Sequence, residues 1–326
     1  MSTTTSLRQA PGERPVPADE LAALTTRGRR GGDTVFSGLS KGAGLVIVVI
    51  LASVAIFLIW QALPAFTGKA LPFGNTLKYV GPFLFGTIYS SVLALIFAVP
   101  LGIGIALFIA HYAPRQLASG LGYVIDLLAA VPSVVYGLWG INTLAKFMQP
   151  VHLWLTEHLS FIPLFSGRVS GTGRTMLTTA VVLAVMVLPI ITAMCREVFL
   201  QVPKNQIEAS LALGATRWEM VRQVVLPYSQ SGIISAAMLA LGRALGETMA
   251  VAMVLSGSRL VNFSIVTSQN SRTIAANIAS TFPEANALEL NQLIATGLLL
   301  FVITFAVNAI SRWVIHRRAD FSGANG

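Results

Sequence analysis

The sequence predicts an all-α, polytopic membrane protein with six transmembrane helices, and three observations lead to this prediction. Of its 326 residues, 54% are hydrophobic and only 11% are charged, whereas a soluble domain carries about a quarter charged residues. The mean hydropathy is +0.72. Several apolar runs also reach the roughly 20 residues that a helix needs to cross a bilayer core of about 30 Å.

Six segments are apolar over most of their length and are separated by polar or charged stretches. They are residues 42–63, 81–110, 121–147, 175–199, 229–256 and 290–313. The second, third and fourth contain Pro100, Pro132 and Pro189. A proline break persists at membrane depth only where protein or a polar cavity satisfies the freed backbone groups. A transport pathway and simple helix kinks both account for these prolines.

The ends of the chain and its basic residues predict its orientation. Residues 1–41 are polar and are expected to form a partly disordered N-terminal segment, and residues 314–326 form a tail. Six crossings place both ends on one side, where 14 of the 22 Lys and Arg residues fall, against seven on the other side and Arg243 inside the membrane. The positive-inside rule therefore places both termini in the cytoplasm of a bacterial plasma membrane. Because the basic residues form no patch, the net charge of +9 indicates orientation and not nucleic-acid binding.

The longest predicted cytoplasmic loop, residues 201–227, contains signals for two short helices. Asn205 is a candidate N-cap for the first helix, and Gly214 is suited to end it. Thr216 and Glu219 have the spacing of a capping box, which opens the second helix. The apolar side chains that this arrangement would expose are Leu211, Leu213 and Trp218.

The same loop resembles the EAA loop of bacterial ABC-importer permeases, whose pattern is E-A-A-x3-G-x9-I-x-L-P. Ser210 replaces the second Ala of that pattern, and Val224 replaces its Ile. In that family the loop forms a coupling helix that docks on an ATPase subunit. The resemblance implies the same role for the matched positions, which are Glu208, Ala209, Gly214, Leu226 and Pro227.

The chain lacks the sequence signs of an enzyme. None of its five lysines is followed by Ser or Thr, so the sequence holds no Walker A phosphate loop and ATP would be hydrolysed by partner subunits. The four histidines have no metal-site spacing, and Cys195 is the single cysteine. We therefore expect no catalytic group, no metal and no cofactor in this chain.

Arg243 and Glu247 are the candidate substrate residues of the predicted fifth span. A central charged residue costs about 2.5–3.5 kcal/mol and usually faces an interior pathway. The spacing of four places both side chains on one helix face, and the guanidinium fork suits a tetrahedral oxyanion. Glu247 either holds Arg243 in the empty state or accepts a proton-bearing oxygen of hydrogen phosphate; the alternative is an interhelical clamp.

Two hydroxyl residues are further pathway candidates. Thr248 is able to donate a hydrogen bond to an oxyanion or back to its own helix. Pro132 predicts a bend in the third span, and Ser133 would line the path there.

Two longer motifs resemble one transporter family in particular. GRALGETMAV, residues 242–251, and IDLLAAVPSVVYGLWG, residues 125–140, are similar to permeases of the phosphate-specific ABC importer, of the PstC type, and the likeness extends from about residue 27 to residue 318. It implies a type I, MetI-like permease fold and import of inorganic phosphate past Arg243 and Glu247. It also implies a complex with a second, PstA-like permease, two PstB-like ATPases and an extracytoplasmic PstS-like phosphate-binding protein. The alternatives are a permease for another oxyanion, the paired PstA-type subunit, or an ion-coupled secondary transporter, which should lack the EAA loop.

Two predicted outer segments, residues 148–174 and 257–289, are long enough to meet a binding protein. Ile274, Ile278 and Phe282 recur at four-residue spacing, which predicts a short helix. Composition alone does not distinguish such a surface from solvated connectors.

Overall fold

The computed structural model describes residues 31–67 and 73–319, which are mostly helical. The helices are α1 Gly31–Thr67, α2 Phe73–Leu107, α3 Arg115–Ala129, α4 Ser133–Trp139, α5 Ala145–Leu159, α6 Met176–Leu200, α7 Lys204–Ala212, α8 Arg217–Met220, α9 Leu226–Tyr228, α10 Gln230–Leu245, α11 Met249–Val254, α12 Ile274–Thr281 and α13 Ala287–Ala319. Single π-helical turns lie at Phe108–Tyr112, Gly140–Leu144 and Val221–Val225, and 3-10 turns at Pro163–Phe165 and Phe282–Glu284. Two short strands, β1 Gly257–Ser258 and β2 Asn270–Ser271, pair in parallel.

The predicted all-α, multi-span architecture is confirmed. Four helices are long and apolar enough to cross a membrane, namely Val35–Ala65, Lys78–Tyr112, Met176–Leu200 and Glu289–Trp313. Two further crossings result if each sharply bent pair is one span, Arg115–Ala129 with Ser133–Leu159, at 92°, and Arg217–Tyr228 with Gln230–Leu245, at 70°. The described residues thus provide four to six crossings, and the predicted six is the upper count.

The first and last helices extend beyond the predicted spans. α1 begins at Gly31, eleven residues or so before the predicted boundary at about residue 42, and α13 continues to Ala319. Most of the predicted cytoplasmic ends, residues 1–30 and 320–326, lie outside the described residues.

The chain has two units, one up to Ile56 and one from Phe57 onward. Within the described residues, the first is the N-terminal part of α1, a single apolar helix. The second holds the remaining elements and the core.

Helix α6 is the centre of the core, since α2, α3 and α10 all pack against it and most of its side chains are buried. Glycines allow the closest approaches. A Cβ at Gly102 of α2 would lie 2.7 Å from Cγ2 of Ile191, and one at Gly232 of α10 would lie 2.5 Å from Cγ1 of Val198. Small residues at helix crossings are the usual means by which membrane helices pack, because lipid supplies no hydrophobic force between them.

The two outer segments pack against each other and are not separate solvated connectors. Val169 pairs with Thr267 in an antiparallel bridge, and the amide of Ile265 donates to the carbonyl of Leu164 at 2.9 Å. The predicted short helix is confirmed as α12, whose first residue, Ile274, is buried.

Candidate functional site

The predicted fifth span is not one continuous helix, which corrects the expectation that Arg243 and Glu247 share a helix face. Helix α10 ends at Leu245 and α11 begins at Met249. The carboxylate of Glu247 causes or stabilises the new start, because its Oε1 accepts a hydrogen bond from the amide of Ala250 at 3.1 Å. Ala250 is the second residue of α11 and Thr248 is the N-cap residue, so Glu247, one position earlier, satisfies an amide at the helix start that has no intrahelical partner.

Glu247 and Arg243 lie in different surroundings, and each environment suits the charge of its residue. Glu247 is only 8% exposed, and its carboxylate lies at the N-terminus of α11, where negative charge is favourable. Arg243 is exposed and occupies the last turn of α10, where positive charge is favourable. Among the described residues the structure gives no ion pair between them. The predicted latch of Glu247 on Arg243 is therefore absent from this conformation.

Thr248 and Ser133 flank two neighbouring helix breaks. The hydroxyl of Thr248 donates to the carbonyl of Gly246 at 3.1 Å, so in this conformation it bonds back to its own backbone, one of the two predicted alternatives. Ser133 is half-buried and opens α4 directly after Pro132, whose extended ψ of 140° separates α4 from α3. The predicted bend at this proline is present.

Close packing of α4 on α11 brings the two breaks together. A Cβ at Gly137 would lie 3.1 Å from the Cα of Ala250, and one at Gly140 would lie 2.8 Å from Cγ2 of Val254. Arg243, Glu247 and Thr248 therefore lie at one break, with the N-terminal turn of α4 beside it.

The predicted coupling loop, residues 201–227, has the predicted helix–turn–helix form with one different boundary. Gly214 has φ +87°, a conformation that favours glycine, and it follows α7. The capping box is present: the amide of Glu219 donates to Oγ1 of Thr216 at 3.3 Å, and the Glu219 side chain accepts from the Thr216 backbone in return. Oε2 of Glu219 accepts from both the backbone amide and the hydroxyl of Thr216, at 2.8 and 2.7 Å. These two bonds lower the pKa of the Glu219 carboxyl from its usual value. The predicted Asn205 cap is wrong, because α7 begins at Lys204 after Pro203, whose fixed φ suits a helix entrance.

The positions matched to the EAA pattern divide into exposed and anchoring residues. Glu208, Ala209, Gly214 and Pro227 are exposed, whereas Leu226 is half-buried and packs on the core. Beside the exposed positions lie apolar side chains, with Leu213 90% and Trp218 59% exposed. An apolar surface of this kind is typical of an interaction site.

Two features of the site were not apparent from the sequence, namely the break at Gly246 and the close packing of α4 on α11. The prediction that Arg243 and Glu247 share a helix face assumed a continuous helix through Gly246. The sequence Gly-Glu-Thr that begins there combines a weak helix former with two residues able to cap a helix. Gly137 and Gly140, at which α4 packs closely on α11, lie three residues apart. Such a spacing of small residues is typical of a helix-packing surface in membrane proteins. Among the described residues, no group of three or more His, Cys, Asp or Glu side chains is placed to hold a metal.

Comparisons with known proteins agree with this architecture. The family model of the binding-protein-dependent transport system inner membrane component matches residues 98–320. The chain is 42% identical over 313 residues to the phosphate transport system permease protein PstC 2 of Mycobacterium tuberculosis, covering 91% of this chain and 96% of that protein. It is 41% identical over 322 residues to PstC of Mycobacterium leprae, covering 94% and 99%, and 40% identical over 307 residues to PstC of Mesorhizobium japonicum, covering 90% and 92%.

The fold is also similar to that of a solved ABC importer. A bacterial ABC transporter involved in the import of the acidic polysaccharide alginate matches with a TM-score of 0.60 at 15% identity, over 91% of this chain and 99% of that chain. At that identity the likeness concerns the fold alone. Taken with the family model and the relatives, it places the chain in the family of binding-protein-dependent transport system inner membrane components, the non-catalytic permease subunits of ABC importers.

Proposed function

We propose that this chain is the permease subunit through which an ATP-driven importer moves inorganic phosphate into the cytoplasm. The observation that carries the proposal is its identity of 40–42%, over at least 90% of its length, to relatives named as PstC phosphate permeases. Partners follow from the same relationship: a PstA-like permease, two PstB-like ATPases that use ATP, and a PstS-like binding protein. Both termini lie in the cytoplasm, as the distribution of Lys and Arg favours.

Arg243 contacts the phosphate in this proposal. Its guanidinium is exposed at the end of α10, and the described residues provide it with no carboxylate partner. A charged, unpaired fork is able to donate two parallel hydrogen bonds to one oxyanion. Thr248 and Ser133 lie at the neighbouring breaks. When the helices move, the hydroxyl of Thr248 exchanges its contact with the Gly246 carbonyl for an anion contact, and the hydroxyl of Ser133 is a second donor.

Glu247 selects the protonated oxyanion. Its Oε1 is bonded to the amide of Ala250, while the structure gives Oε2 no hydrogen bond. That oxygen is available to accept the O–H of hydrogen phosphate, which sulfate at neutral pH lacks. The N-terminus of α11 holds the carboxylate in place for this contact.

The coupling loop transmits the ATPase cycle. Glu208, Ala209 and Gly214 present the surface that docks on an ATPase, together with the exposed Leu213 and Trp218. Leu226 and Pro227 connect that surface to α10. The half-buried Leu226 packs on the core, so a displacement of the docked loop is passed into the membrane segment.

The proposal is tested by uptake of labelled phosphate into proteoliposomes that contain the complete transporter, with ATPase activity measured in parallel. Arg243→Gln should reduce uptake at least about tenfold, since a hydrogen bond to a charged group contributes roughly 1.5–3 kcal/mol. Arg168→Gln is the matched control, because Arg168 is exposed in an outer segment. Preferred uptake of sulfate or another oxyanion by the unmodified complex would contradict the assignment of phosphate.

A further inference from the structure

A cavity of about 200 Å³ lies at the C-terminal end of α11, opposite the end that Glu247 caps. That volume holds roughly six waters at about 30 Å³ each. Arg174, Arg272, Ser256 and Ser280 supply its polar lining, beside small residues of α11 and α12. None of the described residues that line it is acidic. The cavity therefore presents two cations and two hydroxyls without a compensating carboxylate.

Both arginines are held in position by hydrogen bonds to neutral oxygens. Arg174 Nη2 donates to the carbonyl of Met253 at 2.9 Å, near the end of α11, where helix carbonyls lack intrahelical partners. Arg272 donates from Nε to the carbonyl of Gly257 at 3.1 Å and from Nη1 to the hydroxyl of Ser280 at 3.3 Å. A Cβ at Gly257 would overlap Cγ of Arg272, so this glycine makes room for the arginine stem.

These contacts leave most of the donors of the two guanidinium groups unused. A guanidinium has five N–H groups; the structure pairs one of them on Arg174 and two on Arg272. Nε of Arg174 is shielded from solvent and so does not open onto the cavity; the donors of this side chain that an anion there can reach are its Nη groups. The side chain of Arg272 is exposed, and its unpaired donors are accessible as well. An anion in the cavity would accept hydrogen bonds from both arginines.

We propose that this cavity is a second oxyanion site, which receives a tetrahedral anion before it reaches Arg243. The identity of the anion as phosphate rests on the proposed function, whereas the site itself rests on the two arginines. The six residues of α11 span about 9 Å at roughly 1.5 Å per residue, so one short helix connects the cavity with Glu247. The predicted orientation puts Arg174 and Arg272 on the extracytoplasmic side, where the anion enters.

The test is equilibrium binding of labelled inorganic phosphate to the purified, complete transporter without its binding protein. The measurements are made in an Arg243→Gln background, so that contacts at the break do not contribute. Arg272→Gln and Arg174→Gln should each raise the dissociation constant about 10- to 100-fold. Arg168→Gln removes a positive charge from the same outer segments without lining the cavity, and it should change the constant less than about twofold.

Gly257→Ala provides a second route to the same result. It retains both positive charges and displaces the stem of Arg272, so binding should again weaken at least about tenfold. Size-exclusion chromatography and basal ATPase activity check assembly, and if Arg174→Gln fails to assemble, Arg272→Gln and Gly257→Ala decide the question. Binding in these variants equal to that of the Arg168→Gln complex would overturn the proposal.

The two proposals fail separately. If the unmodified complex imports no phosphate, the proposed function is wrong, yet phosphate binding that Arg272→Gln abolishes would still support the anion site. If the complex imports phosphate and the cavity variants bind it normally, the proposed function stands and the second site does not.

Discussion

Glu247 stabilises the start of α11 in the structure and selects the protonated oxyanion in the proposed function, and the substitutions Glu247→Gln and Glu247→Ala should distinguish these two roles. The side chain is 8% exposed and accepts a hydrogen bond from the amide of Ala250 at 3.1 Å. Gln keeps a carbonyl oxygen in that place and should cost less than about 1 kcal/mol, the difference between a charged and a neutral acceptor. Ala removes the cap and leaves a buried amide unpaired, which should cost about 1–3 kcal/mol.

The effect on transport does not follow the ranking of stability, because both substitutions remove the carboxylate. A hydrogen bond from hydrogen phosphate to a carboxylate contributes roughly 1.5–3 kcal/mol, or about 10- to 100-fold in preference over an anion without the O–H. Glu247→Gln should therefore lower the ratio of phosphate to sulfate uptake about tenfold while the melting temperature of the purified complex hardly changes. Glu247→Ala should lower both. An unchanged uptake ratio in Glu247→Gln would refute the selectivity role, and equal destabilisation by Gln and Ala would refute the capping role.

Three further substitutions or conditions test the packing and the loop. Gly140→Ala places a Cβ 2.7 Å from Cγ2 of Val182 and 2.8 Å from Cγ2 of Val254. It should therefore destabilise the complex by about 1–3 kcal/mol in thermal unfolding. Gly104→Ala is the control, because its Cβ meets nothing within 4 Å and should not destabilise the complex. Gly214→Ala forces an alanine into φ +87° and should reduce phosphate uptake per ATP hydrolysed, with Gly214→Asn, which tolerates that conformation, closer to the unmodified ratio. Because its Thr216 contacts lower the pKa of Glu219 from 4.5, the cap stabilises α8 fully above about pH 4.5 and is lost as the pH falls through the lower, folded-state pKa. The protection factor of the Thr216 amide, which donates to this carboxylate, should decrease over that range, and in Glu219→Gln it should not depend on pH.

The features that the sequence predicts well are those set by local composition and spacing. Apolar runs long enough to span a membrane indicate the long helices, because every backbone group must be satisfied internally in lipid. The turn at Gly214 and the Thr216–Glu219 capping box depend on residues within six positions of one another. Such local contacts can be predicted from the sequence alone, and the structure contains them.

The break at Gly246 could not be derived in the same way. A glycine in a helix costs only about 1 kcal/mol, too little to end a span, and the four-residue spacing of Arg243 and Glu247 is what a continuous helix would have. The break depends on a tertiary arrangement in which Gly137 seats α4 against Ala250 while the Glu247 carboxylate caps the same short helix.

The two-arginine cavity depends on contacts that are still more distant in sequence. Arg174 and Arg272 belong to different outer segments, and only the pairing of Val169 with Thr267 and the parallel strands at Gly257 bring these segments together. From the sequence, both arginines contribute only to the count of charges on one side of the membrane.

Helix α10 lies between the predicted coupling loop and the candidate substrate residues. It begins three residues after Pro227, at the end of the EAA-like loop, and ends two residues after Arg243. Its 16 residues form a rod of about 24 Å at roughly 1.5 Å per residue, and Gly232 seats it tightly on α6. In the proposed function, a rod held in this way passes a displacement of the loop to the break at Gly246. Glu247 contacts the first turn of α11 and Arg174 contacts its last turn, so we expect a movement of α11 to alter both proposed anion sites together.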